Sequence, residues 1–166
     1  TVDDHNRKLH WGHGFSCHVC VLRPKSIGSV GLASPDPRKA PRIDPNFLAH
    51  DDDVATLLKG YRITRDIIAQ TPMASFGLRD MYSAGLHNDE QLIELLRKRT
   101  DTIYHPIGTC KMGQDEMAVV DSQLRVHGIE GLRVVDASIM PTLVGGNTNA
   151  AAIMIAERAA EWIAHG

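Results

Sequence analysis

Residues 132–164 constrain the fold most. Leu132-Arg133-Val134-Val135 is a compact apolar run that ends in Asp136, Ala137 and Ser138. A Gly145-Gly146 pair follows, then Asn147-Thr148-Asn149, then a long apolar stretch opening with Ala150-Ala151-Ala152-Ile153. This order predicts a short strand, a tight loop and a final helix over about 149–164. In open α/β sheets ligands gather beyond the carboxyl ends of strands, where small residues allow a close approach. A helix start offers unpaired N–H groups and a partial positive charge. One capping side chain suffices there, so three polar residues in a row leave at least one to face a ligand. Asp136 either accepts a hydrogen bond from a ligand hydroxyl or caps the turn at Ser138.

Upstream, strand-like and helical patterns alternate. Residues 15–22 and 29–33 read as strands joined by the turn-rich 23–28, a hairpin. Pro35, Pro37, Pro41 and Pro45 make 34–46 an ordered but irregular loop. Asp51-Asp52-Asp53 put three acids where the first turn of a helix favours them. Val54, Leu57, Leu58, Tyr61 and Ile68 form its apolar stripe through about residue 69, and Thr71-Pro72 stops it. Asn88-Asp89-Glu90-Gln91 resembles a capping box ahead of Leu92, Ile93, Leu95 and Leu96, a second helix ending near Arg99. Residues 118–126 and 132–135 read as short strands around the turn 127–131. The expected class is mixed α+β.

The 166 residues are 43% hydrophobic and 23% charged, with a net charge of -2. That supports one sizeable core and lacks the dominant sign that nucleic acid or an anionic membrane would select. No apolar run approaches the roughly 20 residues of a spanning helix; Glu157, Arg158 and Glu161 break the longest. Thr1-Val2-Asp3-Asp4-His5 is polar and acidic, unlike a signal peptide, and does not begin with Met. Residues 1–12 read as a connecting segment cut from something longer. Three cysteines make no disulfide framework. Cys17 and Cys20 form C-x-x-C, but no second pair follows, and strand positions three apart face opposite sides. Free thiols in a reducing compartment are expected; a thiol-redox or zinc module is the weaker alternative. The nine histidines show no metal-binding helical pairing, so no metal site is expected.

Tyr104-His105-Pro106-Ile107-Gly108-Thr109-Cys110 carries the histidine best suited to chemistry. Pro106 biases His105 towards extended backbone. Imidazole exchanges a proton near neutral pH, as a general base must. Cys110 lies five residues on with no helix start to activate it.

Read in order, these segments resemble the C-terminal half of the glucose–methanol–choline (GMC) family of FAD-dependent alcohol oxidoreductases. The resemblance rests on Tyr104 to Gly113, on Val120-Asp121 with Leu124-Arg125-Val126, on Gly131 to Pro141, and on Gly146-Asn147-Thr148-Asn149-Ala150 with Met154-Ile155-Ala156-Glu157. Leu22-Arg23-Pro24-Lys25-Ser26 and Ile43-Asp44-Pro45-Asn46 extend it over nearly the whole chain. The resemblance implies oxidation of a primary alcohol to the aldehyde, with FAD as hydride acceptor. His105 would take the hydroxyl proton, and Asn147 would hydrogen-bond the substrate oxygen. Asp136, Ala137, Asn147, Thr148 and Asn149 would contact FAD, the first two near its pyrophosphate or ribityl chain. His18 and Cys20 would line the substrate side. The wording around Cys110 and Asp136 resembles the dehydrogenase branch, which passes electrons to a quinone or another carrier, and leans towards aliphatic alcohols over choline.

No G-x-G-x-x-G fingerprint occurs in the chain. The expectation is therefore a C-terminal portion of a longer, two-domain protein. Residues 13–104 would form mainly part of a substrate domain, a sheet with covering helices. Residues 105–166 would form the catalytic wall and the strand and helix that complete a Rossmann-like FAD domain. Its partners would be the N-terminal FAD-binding half, a small alcohol and an electron acceptor, with self-association through an unpaired strand and no nucleic acid. The location would be the cytoplasm, either free or peripheral to the inner membrane. The alternative is a non-catalytic folding or association module.

Overall fold

The computed structural model describes residues 2–3, 8–9 and 11–165, and in it the chain divides into two compact units. The first takes in the residues up to Val21, with Lys25–Gly28 and Pro45–Ile103; the second takes in Leu22–Pro24, Ser29–Asp44 and the residues from Tyr104 on. Within the expected connecting segment 1–12, residues 1, 4–7 and 10 lie outside the described residues.

The first unit is built on two helices. Strands β1 (Val2–Asp3) and β2 (Lys8–Leu9) pair antiparallel at its N-terminal side. Helix α1 spans Asp51–Ile68, one residue short of the expected end. His50 caps it, its Nδ1 accepting from the Asp52 N–H at 3.1 Å. Buried Asp53 accepts from the Lys25 and Ser26 N–H groups, each at 2.8 Å, and from Ser26 Oγ at 2.5 Å. A short helix, α2 (Thr71–Ala74), follows where only a stop was expected. Pro72 ends α1 as predicted, yet its fixed φ suits the first turn of a new helix. Helix α3, Asp89–Arg99, is capped by Asn88, whose side chain accepts from the Gln91 N–H at 2.9 Å. Val54 and Leu57 of α1 and Leu96 of α3 bury against Leu48, with Leu58, Tyr61, Ile93, Val19 and Val21 packed around them. Of the stripe read from the α1 sequence, Val54, Leu57, Leu58 and Tyr61 form the face it packs on this core, and Ile68 lies outside the cluster.

The expected hairpin of residues 15–22 with 29–33 does not form. The Lys25 and Ser26 amides that would turn it are bonded to Asp53, which holds that link open. Residues 15–21 form no ladder, and Val19 and Val21 pack on the α1–α3 core.

In the second unit, strand β3 (Ser29–Gly31) pairs antiparallel with β4 (Arg42–Asp44), in the register Ser29↔Asp44, Val30↔Ile43, Gly31↔Arg42. The loop expected over 34–46 thus contains a strand. Pro41 and Pro45, lacking N–H groups, bracket it. Residues 118–126 and 132–135 are not strands either. They meet only at isolated bridges, Met112↔Val120, Val120↔Val126 and Arg125↔Arg133. A turn interrupts the first: Asp121 accepts from the Leu124 N–H through its carbonyl and from the Gln123 and Arg125 N–H groups through its side chain. Leu124 adopts φ +64° at that turn, so residues 118–126 fold back on themselves. Among the described residues the sheets are two antiparallel pairs, a mixed α and β architecture in the coarse sense.

A single turn of 3-10 helix, Ala137–Ile139, and helix α4, Asn149–His165, complete the unit. Val120, Leu124, Ile139, Met140, Ile155 and Ala159 form its core, with Ile107, Val134, Val135 and Trp162 at the margin. Residues 151, 155, 159 and 162 line the inward face of α4, the spacing expected of an amphipathic helix. Among the described residues no helix is long and apolar enough to cross a membrane.

Candidate active site

The segment carrying His105 is pinned on its C-terminal side. The Cys110 N–H donates to the Ser138 carbonyl at 3.0 Å, and the Met112 N–H donates to the Ile139 carbonyl at 2.8 Å. Gly108 sits at φ +87°, and a side chain there would meet the Met140 carbonyl at 3.4 Å; glycine meets both demands. On the other side Tyr104 adopts φ +65°, a left-handed conformation costing an L-residue roughly 1–2 kcal/mol. Strain of this kind concentrates at functional sites. His105 is half-buried, and its Nδ1 lies 2.9 Å from Thr148 Oγ1.

Thr148 is buried at the start of α4, and its carbonyl accepts the Ala152 N–H at 2.9 Å. Asn147 and Asn149, on either side of it, are exposed. The fold therefore brings His105 against Thr148 of the polar triplet and sorts the triplet by burial. Thr148 faces the histidine, while the two amides face out. Gly146 stands open, with no atom within 4 Å of the position a side chain would take. Gly145 has a different reason to be glycine. A side chain there would lie 3.0 Å from Nη2 of Arg23, so this guanidinium packs against the loop leading to Asn147. Arg23 lies in the family-like segment 22–26, and nothing in its local sequence signals a contact 122 positions away.

Asp136 is exposed and caps the 3-10 turn, its Oδ1 accepting the Ser138 N–H at 2.7 Å. Of the two roles read for it, the cap is visible. Because Ser138 and Ile139 hold Cys110 and Met112, this cap also steadies the platform under the His105 segment. Ala137 is half-buried and packs on the core. His18 and Cys20 are exposed in the first unit. A hollow lined by Asp121, Arg125, His127 and the turn 128–131 lies elsewhere in the second unit and contains none of these residues.

The family model described as GMC oxidoreductase matches residues 24–156. Alcohol dehydrogenase (acceptor) of Pseudomonas putida is 48% identical over 163 residues, which are 98% of this chain and 30% of that protein. Oxygen-dependent choline dehydrogenase of Cronobacter sakazakii is 51% identical over 151 residues, 90% of this chain and 27% of that one. Among solved structures, pyridoxine 4-oxidase from Mesorbium loti superposes with a TM-score of 0.80 at 33% identity, covering 87% of this chain and 28% of the other. A formate oxidase variant from Aspergillus oryzae, studied for its FAD modification, gives 0.77 at 30% identity over 86% of this chain and 26% of the other. The chain thus spans 27–30% of the length of these two curated relatives. With the family model covering most of the sequence and the motifs around His105 and Asn147 inside the match, the chain belongs to the GMC oxidoreductases, as their C-terminal domain.

Proposed function

We propose that the protein to which this chain belongs is an FAD-dependent dehydrogenase oxidising a primary alcohol to the aldehyde, with aliphatic alcohols favoured over choline. The observation that carries this reading is the 2.9 Å contact tying His105 to Thr148. It fixes a base one residue from an exposed amide at a helix start. The names of the relatives, an alcohol dehydrogenase and a choline dehydrogenase, support the substrate class. FAD is named for three of the solved structures this chain resembles.

The residues at the start of α4 suit a flavin. Asn147 and Asn149 are exposed polar groups beside the first turn of α4, whose N–H groups have no partner within the helix, and Gly146 leaves room beside them. These residues and Thr148 would hold the ring end, while Asp136 and Ala137 would hold the pyrophosphate or ribityl portion. FAD, when bound, supplies the acceptor for the α-hydrogen of the alcohol and its electron pair. His105 takes the hydroxyl proton, so the substrate carbon is left as a carbonyl. Asn147 donates its amide hydrogen to the substrate oxygen as negative charge develops there. The α4 N-terminus adds a partial positive charge that favours anions beside it.

In this reading residues 13–104 belong mainly to the substrate domain, and 105–166 complete a Rossmann-like FAD domain whose N-terminal half holds most of the cofactor. Electrons leave to a quinone or another carrier, in the cytoplasm or at the inner-membrane surface. Anaerobic mixing of the full-length, flavin-loaded protein with a series of primary alcohols and choline tests the proposal. Loss of oxidised-flavin absorbance with the alcohols is expected. A flavin that none of them bleaches contradicts it.

A further inference from the structure

The contact between His105 and Thr148 has a direction, and the chemistry of the ring decides it. Nδ1 is engaged by Thr148 Oγ1 at 2.9 Å, so Nε2 is the nitrogen left to meet a substrate. A base needs a lone pair at that position. Neutral imidazole carries one N–H, which must then sit on Nδ1, and Thr148 must accept it. The reverse arrangement, with the threonine hydroxyl donating to Nδ1, puts the ring hydrogen on Nε2. That tautomer would offer the alcohol a donor instead of a base.

Thr148 suits the accepting role in two ways. Its side chain is buried at the first residue before α4, and its carbonyl already holds the Ala152 N–H. The hydroxyl is therefore fixed to the most regular element of its unit. A hydroxyl acceptor also fits both states of the base. Nδ1–H is present before and after Nε2 gains a proton, so nothing at Thr148 must rearrange during the transfer. From the other side, the left-handed backbone at Tyr104 sets how the chain enters His105.

We propose that Thr148 is a positioning residue for the proton acceptor: by accepting a hydrogen bond from Nδ1–H of His105, it selects the tautomer and ring orientation that present the Nε2 lone pair to the alcohol. This rests on the reading of His105 as the base. Thr148 acts through His105 and need not touch the reacting atoms.

The test uses the full-length, flavin-loaded protein and two readouts. The first is the limiting rate of flavin reduction by a primary alcohol under anaerobic conditions, with the apparent substrate Kd. The second, independent of turnover, is the side-chain 15N spectrum of His105 without substrate, which reports the tautomer. Thr148→Val keeps the shape and removes the acceptor. It should lower the limiting rate about 10- to 100-fold, the scale of a misplaced catalytic group. Substrate Kd should stay within about threefold, because ground-state binding is retained. His105 should shift from the Nδ1–H tautomer towards a mixture. Thr148→Ser should restore the tautomer and most of the rate. If the valine variant fails to retain flavin, Thr148→Ala carries the same expectations without added bulk. Unchanged rate and tautomer in the variant without a hydroxyl, with His105→Ala inactive, overturn the proposal and leave the base assignment standing. A lost rate with an unchanged tautomer overturns it too, since that marks a structural role alone. An unchanged rate in His105→Ala removes the base assignment itself.

Discussion

Asp53 shows at the scale of one residue how a buried charge is held. Burial pushes its carboxyl up, but the hydrogen bonds from the Lys25 backbone and from the Ser26 hydroxyl and backbone outweigh that and hold it below the usual carboxylate range. A lowered value in the folded state means stability that is present above about pH 4, the ordinary carboxylate value. It is lost as the pH falls through the lowered one. Melting temperature should therefore fall steeply below about pH 4, and Asp53→Asn should flatten that slope. The same variant should cost about 1–3 kcal/mol at neutral pH, because donors lose a charged acceptor; chemical denaturation measures it. Only half of this was legible beforehand. Three acids at a helix start read directly as dipole partners. That Asp53 reaches back 27 and 28 positions to Ser26 and Lys25 did not. His105 and Thr148 follow the same rule. Each was singled out by its own neighbourhood, while the bond between them spans 43 positions and appears only in the fold.

The helices were readable and most of the strands were not, for one physical reason. A helix is closed by bonds four residues apart, so its stripe and caps are local; α1, α3 and α4 lie within a residue or so of expectation. A strand needs a partner, and the partner is set elsewhere. Residues 15–22 have the composition of a strand, yet their link is captured by Asp53; residues 42–44 looked like loop between prolines, yet they pair with β3. Gly60 records where the segment carrying Val19 lies. A side chain there would sit 2.7 Å from Cγ2 of Val19. On helix propensity alone Gly60→Ala should stabilise α1 by about 0.5–1 kcal/mol. The clash with a stiff valine reverses the sign, and a net loss of about 1–3 kcal/mol is expected, checked by urea unfolding against Val19→Ala/Gly60→Ala, in which the clash is removed. Asn88→Ala should cost about 1 kcal/mol through the lost α3 cap, with no change in flavin reduction.

Over the whole molecule, the two curated relatives are more than three times as long as this chain. The chain holds the histidine, the amides and the helix start, but no Gly-rich dinucleotide fingerprint. Ile153 and Met154, near the start of α4, are 55% and 59% exposed, a wider apolar face than the buried side of that helix requires. Residues 1–166 alone should accordingly bind FAD weakly and turn over no alcohol. Stoichiometric yellow flavin retained through gel filtration by this chain would contradict that. The central claim is that His105 accepts the alcohol proton, and one measurement addresses it most directly. Full-length protein carrying His105→Ala, still loaded with flavin, is mixed anaerobically with a primary alcohol that bleaches the unsubstituted enzyme. Loss of a general base should slow flavin reduction by about 10²–10⁴-fold; reduction at the rate of the unsubstituted enzyme contradicts the account.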